Sequence, residues 1–174
     1  MSVFIILGGF GSSLGSSDGF ALAFSFRGER GLGGNGGNAI LGTINSDGTV
    51  VQIPDRRTPW AIFICGNNDK SSYIDWSGAA DYEDATPHRI VYNIPSVSDA
   101  STWEIFADQS QQSVSVGANR TPSNFTDFEH PLLLFARHSS GTPSEFVDVV
   151  LDDVCLFAKS LTEHEVLSYQ NPWV

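Results

Sequence analysis

Four arrangements would give this chain chemistry: carboxylates alternating along a strand, histidines at metal-ligand spacing, a serine on a sharp turn, and an aromatic among amides. The densest carboxylates are Glu145, Asp148, Asp152 and Asp153. Cleaving a glycosidic bond takes two carboxyl groups facing one cleft, and on a strand only residues two apart share a face. Three apolar residues separate Asp148 from Asp152, and no E-x-D-x-x-E run occurs, so this group gives no catalytic pair. His88, His130, His138 and His164 form no HxxxH or HExxH pattern. A G-x-S-x-G context is absent too. Gly31, Gly33 and Gly36 satisfy the letter of GxGxxG, but the AILGTI run that follows is strand-like, where a phosphate site needs a helix N-terminus. No residue is therefore assigned to catalysis, and the chain is expected not to be an enzyme.

One set fits binding. A sugar is held by an exposed aromatic that stacks on its face, with planar polar side chains beside it for the hydroxyls. Asn67, Asn68, Asp69, Trp76 and Tyr82 supply those groups if the loops around residues 67 and 80 meet at one end of the fold. The competing reading sends Trp76 into the core, the commoner fate of a tryptophan in a small β-sandwich.

The elements that must position these residues are short strands. The chain has 174 residues, 17 glycines and 8 prolines, with 41% hydrophobic and only 17% charged residues. That balance describes one packed, loop-rich, all-β domain. Residues 3–7 read as a first strand and residues 8–18 as a Gly/Ser-rich arm or loop. Residues 20–27 alternate as in a strand buried on one side. Residues 39–44 and 49–53 flank Asn45-Ser46-Asp47-Gly48, the clearest hairpin signal. Residues 60–66 pair with 72–76, and 88–94 alternate with Ile90, Tyr92 and Ile94 on one side. Residues 103–107 and 113–116 read as a further hairpin around 108–112. About ten to twelve strands result, which two antiparallel sheets packed face to face accommodate best.

The charge balance, nine Lys and Arg against 20 Asp and Glu, gives −11 and excludes a basic surface for nucleic acid or anionic membrane. Residues 3–7 are too short to span a bilayer and lack a basic segment before them, so no signal peptide is read. Cys65 and Cys155 lie in apolar runs and read as two buried thiols, with a disulfide between them as the alternative their separation does not forbid. Asn119-Arg120-Thr121 and Asn124-Phe125-Thr126 match the glycosylation acceptor pattern, which carries weight only on a secreted chain.

The C-terminal stretch LDDVCLFAKSLTEHEVLSYQNPWV is the most informative. Residues 151–157 form an apolar run broken by Asp152 and Asp153. Thr162 and Glu165 then have the spacing of a capping box, ahead of one short amphipathic helix stopped by Asn171 and Pro172. The segment LDDVCLFAKSLTEHEVLSY resembles the C-terminal signature of laminin G-like, concanavalin A-like jelly rolls, and HRIVYNI with TWEIFADQ looks like their central strand pair.

The resemblance, which covers residues from about 88 onward, implies an all-β, antiparallel two-sheet jelly-roll sandwich with one short C-terminal helix, residues 19–174 forming the domain after an N-terminal strand and Gly/Ser-rich arm or loop at 1–18. It implies a structural role for Asp152 and Asp153, accepting hydrogen bonds from the turn and the docked helix. Calcium, which such relatives often hold in loops, would fall to Asp69, Asp81, Glu83 and Asp84, but these lack a recognisable ligand spacing and read as a solvated acidic loop.

Asn171-Pro172-Trp173 is similar to the ending of such domains in bacteriophage structural proteins. The expectation that follows is a non-catalytic virion protein, a capsid decoration, head-fibre or tail accessory, made in the host cytoplasm. It would bind other virion proteins and form a homo-oligomer. The alternative is a lectin-like module that adheres to glycans.

Overall fold

The structure, a computed structural model, describes residues 5–7, 19–27, 40–44, 50–53, 62–65, 71–82, 84–120, 132–134, 137–139, 142–144 and 150–168. Fourteen strands are described within them: β1 Ile5–Leu7, β2 Phe20–Arg27, β3 Leu41–Ile44, β4 Val50–Ile53, β5 Ile62–Cys65, β6 Ser71–Asp75, β7 His88–Ile94, β8 Glu104–Ala107, β9 Ser110–Gln111, β10 Ser115–Ala118, β11 Leu132–Leu134, β12 Arg137–Ser139, β13 Thr142–Ser144 and β14 Val150–Phe157. One α-helix, α1 Glu163–Ser168, follows them.

They form two sheets. The larger runs β1-β11-β3-β4-β5-β6-β10, with β12 and β13 attached beside β3, and the smaller runs β14-β2-β7-β8-β9. Every pairing is antiparallel apart from one parallel bridge between β12 and β3. This is the expected two-sheet sandwich. The β3–β4 and β5–β6 hairpins form as the sequence indicates, Ile44 opposite Val50 and Cys65 opposite Ser71, and the β7–β8 pair joins Tyr92 to Ile105.

The core lies between the sheets. Phe20, Leu22, Phe24 and Phe26 of β2 and Ile90, Tyr92 and Ile94 of β7 meet Leu41, Val51, Ile53, Ile62, Ile64 and Ile74 of the larger sheet. Each such side chain stabilises the fold by about 1.5–3 kcal/mol on burial. At the entry to β2, Gly19 has φ +65°, and a Cβ there would stand 1.9 Å from the Ile94 carbonyl oxygen, so only glycine fits.

Two expectations change. β2 is buried on both faces rather than one, because Ala21 and Ala23 on its outer side are covered by Leu161 and by Val166 of α1; the small alanines let the helix come close. The strand at 113–116 does not return beside 103–107. Asp108 and Gln109, both at positive φ (47° and 67°), make a tight two-residue turn into β9, and β10 crosses to pair with β6 in the other sheet. Cys155 stands half-buried on the outer face of the smaller sheet against α1, whereas Cys65 belongs to the larger sheet. The arm at 8–18, the glycines at 31–36, the hairpin turn at 45–48, and Glu145, Asp148, Asn171, Pro172 and Trp173 lie outside the described residues.

Candidate functional site

Of the set expected to hold a sugar, Asn67, Asn68 and Asp69 lie outside the described residues. Trp76 is in the core at 2% exposure. Strand alternation puts it there: Ser72 and Ile74 point inward, and Trp76, two residues past Ile74, follows them. Its ring packs against Tyr82, centroids 5.2 Å apart at 43°. That closes its face to any ligand, and it corrects Trp76 as the stacking residue. Tyr82 is half-buried on the 3-10 helix Ala79–Tyr82.

The same alternation turns Ser71, Tyr73 and Asp75 outward, all half-buried. The register sets Gln52, Phe63, Tyr73 and Ala118 in one cross-strand row. Beside Tyr73, β10 carries a bulge between Val116 and Ala118. Gly117 sits in it, and a Cβ there would lie 2.0 Å from Tyr73 Cε2. The missing side chain leaves the Tyr73 ring room to settle along the edge strand. Ser72 fastens the end of that strand: its hydroxyl accepts the Arg120 N–H at 3.0 Å and donates to the Arg120 carbonyl at 3.2 Å. An aromatic ring with a carboxylate two residues along, on a sheet face away from the core, has the chemistry of a sugar platform. Its signal in the sequence is the S-S-Y-I-D-W alternation.

At the start of β7 lies a polar cluster. His88 Nδ1 is 2.7 Å from Asp108 Oδ2, and Nε2 is 2.9 Å from Asp84 Oδ1 and 2.9 Å from Thr86 Oγ1. Tyr82 meets the imidazole edge-on, centroids 5.0 Å apart. Partial burial pulls His88 down, but hydrogen bonds and charge from Asp108 and Asp84 outweigh it and leave its pKa raised above 6.5. Bonds from Thr86 and His88 hold the Asp84 carboxyl well below the usual carboxylate range. Burial, then the charge of Asp108, pushes the Tyr82 phenol up. While doubly protonated between the two carboxylates, the His88 ring has no lone pair to act as a base. Of the acidic-loop residues, Asp84 is engaged by His88 and Thr86, Asp81 is exposed, and Asp69 and Glu83 lie outside the described residues. Among the described residues no three His, Cys, Asp or Glu gather as a metal site.

The C-terminal signature resolves into specific work. The Thr162 N–H donates to Glu165 Oε2 at 2.8 Å and the Glu165 N–H to Thr162 Oγ1 at 3.2 Å, a closed capping box. Asp152 and Asp153 act differently from the expectation. Asp152 accepts the N–H of Asp153 at 2.8 Å, and Asp153 Oδ2 lies 3.6 Å from Arg89 Nη1; neither bond comes from the turn or the helix. Asp153 has φ +52° inside a bulge between Asp152 and Cys155. In strict alternation one of two adjacent acids would point into the core. The extra residue removes that conflict, so Leu151, Val154 and Leu156 all face inward.

No family model and no curated relative matches the sequence. Solved structures share the fold. The CBM40 module of Ruminococcus gnavus IT-sialidase bound to α2,3-sialyllactose is 10% identical, with a TM-score of 0.59 over 96% of this chain and 91% of that one. Domain 4 of AbnA, a GH43 extracellular arabinanase from Geobacillus stearothermophilus, in complex with arabinotriose, is 9% identical, with a TM-score of 0.57 over 89% of this chain and 68% of that one. The receptor-binding domain of botulinum neurotoxin C/D mosaic serotype is 10% identical, with a TM-score of 0.62 over 94% of this chain. This chain spans only 38% of that toxin domain and 26% of the NanB chain that it also matches. The expectation of a phage virion protein is overturned by these likenesses, which include one domain solved on sialyllactose and one solved on arabinotriose. The three residues behind that expectation, Asn171-Pro172-Trp173, lie outside the described structure.

Proposed function

We propose that this chain is a carbohydrate-binding module that holds a neutral glycan against the outer face of the larger sheet and performs no catalysis of its own. The observation that carries the reading is Tyr73, an aromatic turned outward beside Gly117, with Asp75 next along the face. The fold supports it, being shared over nearly the whole chain with a module solved on sialyllactose and with one solved on arabinotriose. The charge of −11 selects between those two kinds of sugar, since a field of that sign repels a sialic acid carboxylate and leaves a neutral pentose or hexose chain unaffected. Tyr73 stacks on the sugar face, and Asp75 accepts from its hydroxyls.

The test is a glycan array of neutral and sialylated oligosaccharides, with calorimetry on each hit. Retention of neutral glycans, lost in Tyr73→Ala at an unchanged unfolding midpoint, is the expected result. An array without hits, or hits that Tyr73→Ala leaves intact, overturns the proposal.

A further inference from the structure

We propose that Asp84, Thr86, His88 and Asp108 form a proton-operated latch, which fastens the connection between β6 and β7 onto the β8–β9 turn and eases as the solution becomes alkaline. The device rests on its own geometry and does not depend on the carbohydrate reading. A doubly protonated ring donates from Nδ1 to Asp108 at 2.7 Å and from Nε2 to Asp84 at 2.9 Å, while the Thr86 hydroxyl donates to the same Asp84 oxygen at 2.6 Å. A neutral ring has one N–H and one lone pair, so one carboxylate must then face a lone pair.

The geometry fixes which contact fails. Asp108 is held on its own account: its Oδ1 accepts the Arg89 N–H at 2.8 Å, and its own N–H donates to the Arg89 carbonyl at 2.9 Å. Nδ1–H therefore stays on Asp108, and Nε2 gives its proton to solvent. The Thr86 hydroxyl, 2.9 Å from Nε2, then turns to donate to the exposed lone pair. Asp84 loses the ring and the hydroxyl together and keeps the Thr86 N–H, at 2.8 Å. Tyr82 rests on His88 and Trp76 rests on Tyr82, so the easing reaches back to the end of β6.

Among the described residues, the titratable groups facing His88 are Asp84 on the connection, Asp108 on the turn and Tyr82 on the 3-10 helix, with Asp81 beside Tyr82. Arg89 directs its guanidinium to Asp153, on the opposite face. The raised histidine contributes stability that is complete below its unfolded value near 6.5 and fades as pH rises through the higher folded value. The lowered Asp84 contributes above its unfolded value of 3.8 and fades as pH falls through its depressed folded value. The latch is thus strongest between pH 3.8 and 6.5.

Two measurements on the whole chain test it. Carbon-detected NMR of the His88 ring is expected to show a midpoint above 6.5 with Nδ1 protonated on the alkaline side. Hydrogen exchange of residues 77–87, corrected for intrinsic rates, is expected to quicken between pH 5.5 and 8.5. Each pH unit between the unfolded and folded histidine values enlarges the opening constant by up to about tenfold. A ring midpoint at or below 6.5, corrected exchange that ignores pH, or an alkaline change as large in His88→Gln as in the parent would each overturn the latch.

Discussion

Asn93 and Leu161, 68 positions apart, exchange a reciprocal pair of hydrogen bonds: the Leu161 N–H donates to Asn93 Oδ1 at 2.8 Å and Asn93 Nδ2 donates to the Leu161 carbonyl at 2.9 Å. Asn93 is buried on β7, and its Nδ2 also reaches Glu104 at 2.9 Å. A side-chain amide here plays the part of a neighbouring strand, satisfying both backbone groups of the residue that leads into α1. A six-residue helix is marginal by itself, so this pair and the Val166 contact with the alanines of β2 are what seat it.

Replacing Asn93 with Leu keeps the volume and orphans both Leu161 groups. Each buried unpaired group costs about 1–3 kcal/mol, so Asn93→Leu is expected to lower stability by about 2–6 kcal/mol. Urea denaturation measures the loss, and exchange in residues 161–168 should quicken before the rest of the chain opens. A midpoint equal to the parent's would show that the apolar contacts seat the helix alone.

The capping box responds to pH. Lys159 first, then the Thr162 N–H and hydroxyl, hold the Glu165 carboxyl down at about 2. A depressed carboxylate contributes above its unfolded value of 4.5 and is lost as pH falls towards about 2. Helix α1 is therefore expected to fray in acid, read by amide exchange between pH 5 and pH 2. Thr162→Ala removes the hydroxyl cap and should cost about 1 kcal/mol at neutral pH.

How much of this was legible follows from which forces act locally. The capping box, the β3–β4 hairpin and the alternation of β7 depend on residues a few positions apart, so spacing alone discloses them. The outer burial of β2 was not legible, because the cover over Ala21 and Ala23 comes from residues about 140 positions later in the chain. The bulge at Asp153 was masked by its own sequence, where two adjacent acids look like a polar break in a strand. Trp76 was ambiguous on type and settled by parity: it stands an even number of residues from Ile74 and Ser72, both buried. Tyr73 is legible by the same count, once the inward face of β6 is known.

Tyr92 offers a stabilising change. It is wholly buried in the core, stacked on Phe24 with centroids 6.1 Å apart, and its hydroxyl has no hydrogen-bond partner among the described residues. Burial alone pushes its phenol well above the ordinary value. An unpaired buried hydroxyl costs more than it returns, so Tyr92→Phe is expected to raise stability by about 1 kcal/mol. Thermal and urea midpoints should both rise; a fall would mean that an ordered water satisfies the group.

Tyr73 and Trp76, three residues apart on β6 and its end, should separate binding from stability. Trp76→Ala empties part of the core and is expected to cost about 3–5 kcal/mol. Glycan affinity in the fraction still folded should change little. Gly117→Ala should do the reverse. Its new methyl would take space now filled by Tyr73 Cε2, Cζ and Cδ2, at 2.0 to 2.8 Å from the new Cβ. A half-buried ring can swing aside, so the stability cost is expected to stay within about 1 kcal/mol. The displaced ring no longer presents its face to the sugar, and affinity is expected to drop about tenfold or more, which is about 1.4 kcal/mol. Calorimetry and urea denaturation on the two variants give all four quantities. If both lost affinity in proportion to stability, the sugar would not be reading Tyr73.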